Sequence, residues 1–140
     1  MKLITEATSE KLRGGFYTPE PIAEFVLRWG LNENKDSDIL EPSCGDGIFL
    51  EQLKKLQLSY KTITAIEFDE IEAEKADRID LENKLVINED FHTYCNNTLQ
   101  RFDLIVGNPP YIRYQFFDRK QQVEAADIFI KAGLTYSKLT

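Results

Sequence analysis

Ile39-Leu40-Glu41-Pro42-Ser43-Cys44-Gly45-Asp46-Gly47-Ile48-Phe49-Leu50 changes its character half-way along. Before Glu41, a short apolar run follows the polar residues Asn32 to Asp38, the pattern of a buried strand. After Gly47, the residues Ile48, Phe49, Leu50, Leu53 and Leu56 recur at helical spacing. The join, Glu41 to Gly47, holds two glycines, which allow a tight turn and close approach of backbone to a ligand. A strand, a loop and a helix in this order form the repeating unit of a parallel α/β sheet.

The alternation continues on both sides. Upstream, Thr18-Pro19-Glu20-Pro21 opens a helix, proline being tolerated in a first turn. Its expected apolar face is Ile22, Phe25, Val26 and Trp29, and Gly30 is the expected stop. Downstream, Thr62 to Phe68 reads as a second strand and the acidic stretch from Asp69 as a helix. Leu85-Val86-Ile87 reads as a short third strand and Phe102 to Val106 as a fourth. A final helix is expected over Gln121 to Lys138, with Val123, Ile128, Phe129, Ala132 and Leu134 available for burial. Strands alternating with helices imply a doubly wound parallel sheet, whose ligands bind beyond the carboxyl ends of the strands.

Composition narrows the partners. The 140 residues suit one domain, and 42% apolar with 29% charged residues excludes a disordered tail. No run approaches the ~20 apolar residues of a membrane helix, and the N-terminus lacks a secretory signal. Two cysteines and one histidine make neither a disulfide framework nor a closed zinc site. The expectation is a cytoplasmic, metal-independent chain with no membrane partner. Glu67 to Asp90 holds ten acidic and three basic residues, so this segment carries the whole net charge of −7. The remaining residues balance, and a polyanionic partner stays compatible with them.

The unusual residues fall at strand ends. A dinucleotide-binding loop would place a third glycine at Leu50, and Asp46 would repel a pyrophosphate. A phosphate-binding P-loop is excluded because no Gly-Lys-Ser/Thr follows. Glu41 and Asp46 suit instead a ligand carrying an ammonium or sulfonium group; the alternative is a turn that uses glycine for geometry alone. Glu67 ends the second strand, where an acid commonly accepts from ribose hydroxyls. Asp90-Phe91 ends the third, a carboxylate for an amino group and a ring for stacking. In so acidic a segment, each of these acids can equally be a solvated surface residue.

After the fourth strand comes Gly107-Asn108-Pro109-Pro110-Tyr111. The prolines stiffen the loop and remove N–H donors. The Asn108 side-chain oxygen and the Pro109 carbonyl then offer two acceptors, a match for a planar NH₂ group. Tyr111 supplies a flat face beside them. Arg113, Arg119 and Lys120 follow, either to touch phosphate or to form a solvated turn.

From about Gly15 to Lys138 the sequence resembles the S-adenosylmethionine-dependent DNA methyltransferases that modify amino groups, specifically the adenine-N6 branch of restriction–modification systems. Phe16-Tyr17-Thr18-Pro19 resembles the upstream cofactor motif, and Leu40 to Leu50, with Glu41, Pro42, Ser43, Gly45, Asp46 and Gly47, the main cofactor loop. Glu67 matches the ribose-binding acid and Asp90-Phe91 the adenine-binding pair. Asn108-Pro109-Pro110-Tyr111 matches the catalytic motif, Asn108 also bordering the cofactor, and Ala126 to Ile130 the helix completing the target-base pocket. The resemblance implies a Rossmann-like class I methyltransferase fold, double-stranded DNA as partner, a flipped adenine and direct methyl transfer to its N6.

The family's sheet runs 3-2-1-4-5-7-6, and only the 3-2-1-4 half is found. The chain is therefore expected to be the N-terminal part of a larger enzyme, or a subunit borrowing the rest, without a target-recognition domain and inactive alone. An exposed fourth strand would then invite self-association. A protein-glutamine N5-methyltransferase shares the Asn-Pro-Pro-Tyr logic, but Glu41-Pro42-Ser43 and Thr18-Pro19 argue against it. They disfavour an RNA-base methyltransferase less strongly. An inert cofactor-binding fragment is the remaining alternative.

Overall fold

A computed structural model describes residues 17–32, 36–110 and 117–135. The expectations for Gly15, Phe16, Tyr111 and Arg113, and for the final helix beyond residue 135, fall outside them. In chain order the elements are α1 (Glu20–Gly30), β1 (Asp38–Glu41), α2 (Ile48–Leu56), β2 (Thr62–Glu67) and α3 (Glu70–Asp77). Then come β3 (Lys84–Asn88), α4 (Phe91–Asn97), β4 (Leu104–Ile105) and α5 (Arg119–Lys131). The described residues divide into two compact units, Tyr17–Asn108 and those from Pro109 onward.

In the first unit the four strands are parallel and ordered β3-β2-β1-β4, the expected half-sheet. Ile39 lies opposite Ile63 and Leu104, and Leu40 opposite Thr64 and Ile105. Alternate side chains leave a strand on opposite faces, so this register builds two apolar layers. Ile39, Ile63 and Ala65 pack with Ala23, Leu27, Phe49, Leu50 and Leu53 of α1 and α2. Leu40 and Ile66 pack on the other face with Tyr94 of α4. Both faces are covered, as parallel sheets require.

Glu20 of α1 accepts from Lys55 of α2 at 2.8 Å, an exposed clasp between the two helices. At the opposite end of the strands from the candidate loops, the Asp38 carboxylate accepts from Lys61 Nζ and Thr62 Oγ1, both at 2.7 Å. The Lys61 and Thr62 hydrogen bonds hold the Asp38 carboxyl below its ordinary range.

Three expectations need correction. The face of α1 that enters the core is Ala23 and Leu27; Ile22, Phe25 and Trp29 are exposed, Trp29 by 77%. The buried face lies roughly a third of a revolution from the expected one, and of the expected residues Val26 packs partly against the core. The buried side is closely packed at Gly30, where a Cβ would lie only 3.0 Å from the Leu104 methyls. A side chain as wide as Trp29 has no room on such a contact.

The second correction concerns the last helix, which ends at Lys131 rather than Lys138. Gly133 takes φ +71°, its N–H donates to Ile130, and Leu134 donates back to Phe129, the closing bonds of a left-handed helix stop. Ala125 is its buried residue, while Val123 and Phe129 are exposed, as is Leu134 beyond its end. Third, α4 was not expected. Its His, Thr and Asn residues are poor helix formers, and Asp90, capping Phe91–Asn97, was the available signal.

The rotation of α1 yields a stability contrast. Leu27→Ala should lower unfolding free energy by about 2–5 kcal/mol, while Trp29→Ala should stay within about 0.5 kcal/mol. Urea unfolding of both variants checks this, and the reverse order would contradict the observed face.

Candidate active site

The loop after β1 is built by hydrogen bonds to its neighbours. The Cys44 N–H donates to the Ile66 carbonyl at 2.8 Å, stitching the loop to β2. Gly45 then takes φ +55° and its N–H donates to Glu67 Oε2 at 2.8 Å. Gly47 takes φ +98°, donates to Cys44 and caps the start of α2. Side chains rarely adopt either conformation. A Cβ on Gly47 would also sit 2.5 Å from Ile79 Cδ1 and 3.2 Å from Ala76 Cα, whereas one on Gly45 would meet nothing within 4 Å. Gly47 is thus walled in by α3 and its following turn, and Gly45 opens outward.

Glu67 is the node of this rim. Its Oε1 accepts from the Asp69 N–H at 2.8 Å, while its carbonyl accepts from Glu89 N–H at 3.0 Å and Asn88 Nδ2 at 2.8 Å. The ends of β2 and β3 and the turn at Gly45 are therefore held together. Asp90 follows at once and caps α4, its Oδ1 accepting from His92 N–H at 2.9 Å and Thr93 N–H at 3.2 Å. Phe91 is half-buried against the layer of Leu40, Ile66 and Tyr94.

From the other side, Val106 N–H donates to Leu40 at 2.9 Å and carries the chain to Gly107. A Cβ there would lie 3.3 Å from Pro42 Cδ and 3.9 Å from Glu41 Cγ. The loop that leads into Asn108 therefore lies against the loop that follows β1. Asn108 is half-buried, and Pro109 and Pro110, in the second unit, are exposed.

Negative charge converges here. Glu41 is 1% exposed, and its Oε2 has no hydrogen-bond partner among the described residues. Burial first, then the Glu67 and Asp46 carboxylates, hold its carboxyl well above the ordinary range. Partial burial and Glu72 likewise raise Asp46, with Lys75 opposing. The Cys44 thiol is pushed far up by burial and by Glu41 and Glu67, so it stays protonated and is no nucleophile.

Half-buried Ser43 presents a second solvent-inaccessible oxygen, Oγ, that lacks a partner among the described residues. Lys75 of α3 pairs with Glu72 at 2.7 Å and interacts electrostatically with both Asp46 and Tyr17. The exposed Tyr17 and half-buried Thr18 thus enter the unit on the side of the same loop. Sequence reasoning missed Lys75, Glu72 and Asn88. The i,i+3 spacing of Glu72 and Lys75 signalled their pairing, whereas nothing local marked Asn88.

The profile of the Eco57I restriction-modification methylase family matches residues 23–138. This chain belongs to that family. It is 36% identical over 114 residues to the type II methyltransferase M.HincII of Haemophilus influenzae, covering 81% of this chain and 20% of that protein. It is 31% identical over 121 residues to M.AccI of Acinetobacter calcoaceticus, covering 85% and 22% respectively. The chain spans about a fifth of the length of these curated relatives.

Among solved structures, an rRNA methylase of Streptococcus thermophilus superposes with a TM-score of 0.55 at 15% identity, covering 84% of this chain and 63% of that one. That likeness concerns the fold, a Rossmann-like class I methyltransferase. The cofactor of this methylase fold and family is S-adenosylmethionine, and the rim fits it. Partnerless buried oxygens on Glu41 and Ser43, an outward-opening Gly45 and a set of carboxylates suit a ligand bearing hydroxyl and cationic groups. Among the described residues, no helix is long and apolar enough to cross a membrane.

The two glycines should respond differently to alanine. Gly47→Ala combines a strained φ with a clash on the Ile79 methyl and a tight approach to Ala76, and should destabilise the fold by about 2–4 kcal/mol. Gly45→Ala should lose only about 1 kcal/mol, from strain alone. Thermal or urea unfolding of the pair measures the difference, and equal losses would refute the walled-in placement of Gly47.

Proposed function

We propose that this chain provides the cofactor and target-amine sites of a site-specific DNA methyltransferase that methylates adenine N6 as the modification partner of a restriction system. The observation that carries the reading is the packing of Gly107 on Pro42 and Glu41, which sets the Asn108 loop beside the acidic cofactor loop. The family's description adds restriction–modification as the setting. On the same reading these residues are the N-terminal part of a catalytic domain whose target-recognition portion belongs to the whole protein.

When bound, S-adenosylmethionine supplies a methyl group carried on positively charged sulfur. Glu67 would hold ribose hydroxyls, Asp90 and Phe91 the adenine ring, Thr18 the carboxylate end, and Glu41 and Asp46 the cationic part. The target base must leave the duplex stack to present its amine. Asn108 Oδ1 and the Pro109 carbonyl then accept its two N–H hydrogens, leaving the nitrogen lone pair as the one unengaged direction. Tyr111 would stack on the extruded ring. No strong base is required, so catalysis rests on holding the amine in place.

Asn108→Ala, in the whole protein, should reduce methyl transfer at least about a hundredfold while leaving cofactor affinity within about threefold. Incubation with labelled cofactor and duplex DNA, followed by nucleoside analysis for N6-methyladenine, reads the first. Calorimetry reads the second. Label appearing in protein rather than DNA would replace the reading with a glutamine-directed one, and an equal collapse of cofactor affinity would refute the division between the loops.

A further inference from the structure

Glu41 is the one carboxylate buried outright among the described residues, and it lies at the centre of the rim. Its Oε2 is closed to solvent and has no hydrogen-bond donor among the described residues. Among the described residues, the groups facing it are Asp46 from its own loop, Glu67 from the end of β2, and the neutral Cys44 thiol. The β4 side contributes Gly107, which carries no charge. Lys75, whose charge reaches Asp46, is engaged with Glu72. Among the described residues, an ionised Glu41 would be a buried anion among anions with no compensating cation beside it, an arrangement that proteins avoid by protonation. A ligand that brings a cation to the same loop reverses the balance.

We infer that Glu41 holds a proton in the cofactor-free protein and surrenders it to solvent when S-adenosylmethionine binds, so that donor capture releases one proton. The inference rests on the reading of this rim as the cofactor site. The O–H bond of the carboxyl breaks, its electron pair stays on the carboxylate oxygen, and the proton passes to buffer; nothing is oxidised or reduced. The sign follows from linkage: the free form carries the extra proton, so binding strengthens as pH rises through the range where free Glu41 is protonated. Burial and both neighbouring carboxylates act in this direction. Glu41 would then couple the site's affinity for a cationic donor to pH.

The test is calorimetric titration of S-adenosylmethionine into the protein near pH 7, in buffers of low and high ionisation enthalpy. The slope of observed heat against buffer enthalpy counts protons. The wild type should release close to one proton more than Glu41→Gln, a subtraction that removes the cofactor's own amino group. Between about pH 6 and 7 the wild-type association constant should rise by up to about tenfold, with a flatter profile in the variant.

Equal proton counts in the two proteins would overturn the inference while leaving the cofactor reading intact. Absence of binding heat in the wild type would overturn both. Should Glu41→Gln fail to fold, the wild type decides alone: release and a rising association constant support the inference, and a pH-independent constant defeats it.

Discussion

The hydrogen bond from Gly45 N–H to Glu67 Oε2 is the constraint on which the rim depends. It reaches from the left-handed turn after β1 to the last residue of β2, twenty-two positions along the chain. The same carboxylate accepts from Asp69 N–H and so also fixes the entrance of α3. The Glu67 carbonyl reaches the end of β3 through Asn88 and Glu89. One residue thereby sets the relative height of three strand ends, and with it the depth of any crevice between them. A carboxylate suits the task because it has lone pairs left after accepting two backbone N–H groups.

Around that node the protein concentrates a cost that its apolar layers support. Packing of Ile39, Ile63, Phe49, Leu50 and Leu53 holds β1 and α2 in place regardless of what the loop between them carries. The loop can therefore keep two left-handed glycines, a buried carboxyl and an orphaned serine oxygen, each unfavourable in isolation. Such features persist where surrounding structure over-determines them, and at this rim they share one small region. The acidic excess between Glu67 and Asp90 has a related origin. Glu67, Asp69 and Asp90 are tied into the rim and its helix starts, whereas Glu74 and Asp80 pair with surface cations.

Membership of the Eco57I restriction-modification methylase family and the 3-2-1-4 sheet agree with one another through the placement of the loops. In such a sheet the strand order reverses at β1, so the loops after β1 and β4 open side by side. Gly107 against Pro42 is the contact that expresses this reversal. The chain spans about a fifth of its relatives, yet it brings both loops to one rim.

Strand and helix alternation, the strand-end positions of Glu41, Glu67, Asp90 and Asn108, and the family itself were legible from residue order. Each is a local pattern or a motif of fixed spacing, which needs no knowledge of distant neighbours. The buried face of α1, the closure of α5 at Gly133 and the existence of α4 were not. Ile22, Phe25 and Trp29 satisfy helical periodicity as well as Ala23 and Leu27 do, and the close approach of Gly30 to Leu104 exists only in the folded sheet. The electrostatic state of Glu41 belongs to the same class, because burial and the approach of Glu67 and Asp46 arise from parallel pairing across the sheet. Local sequence names the groups; their desolvation and mutual distances exist only once the strands have been brought together.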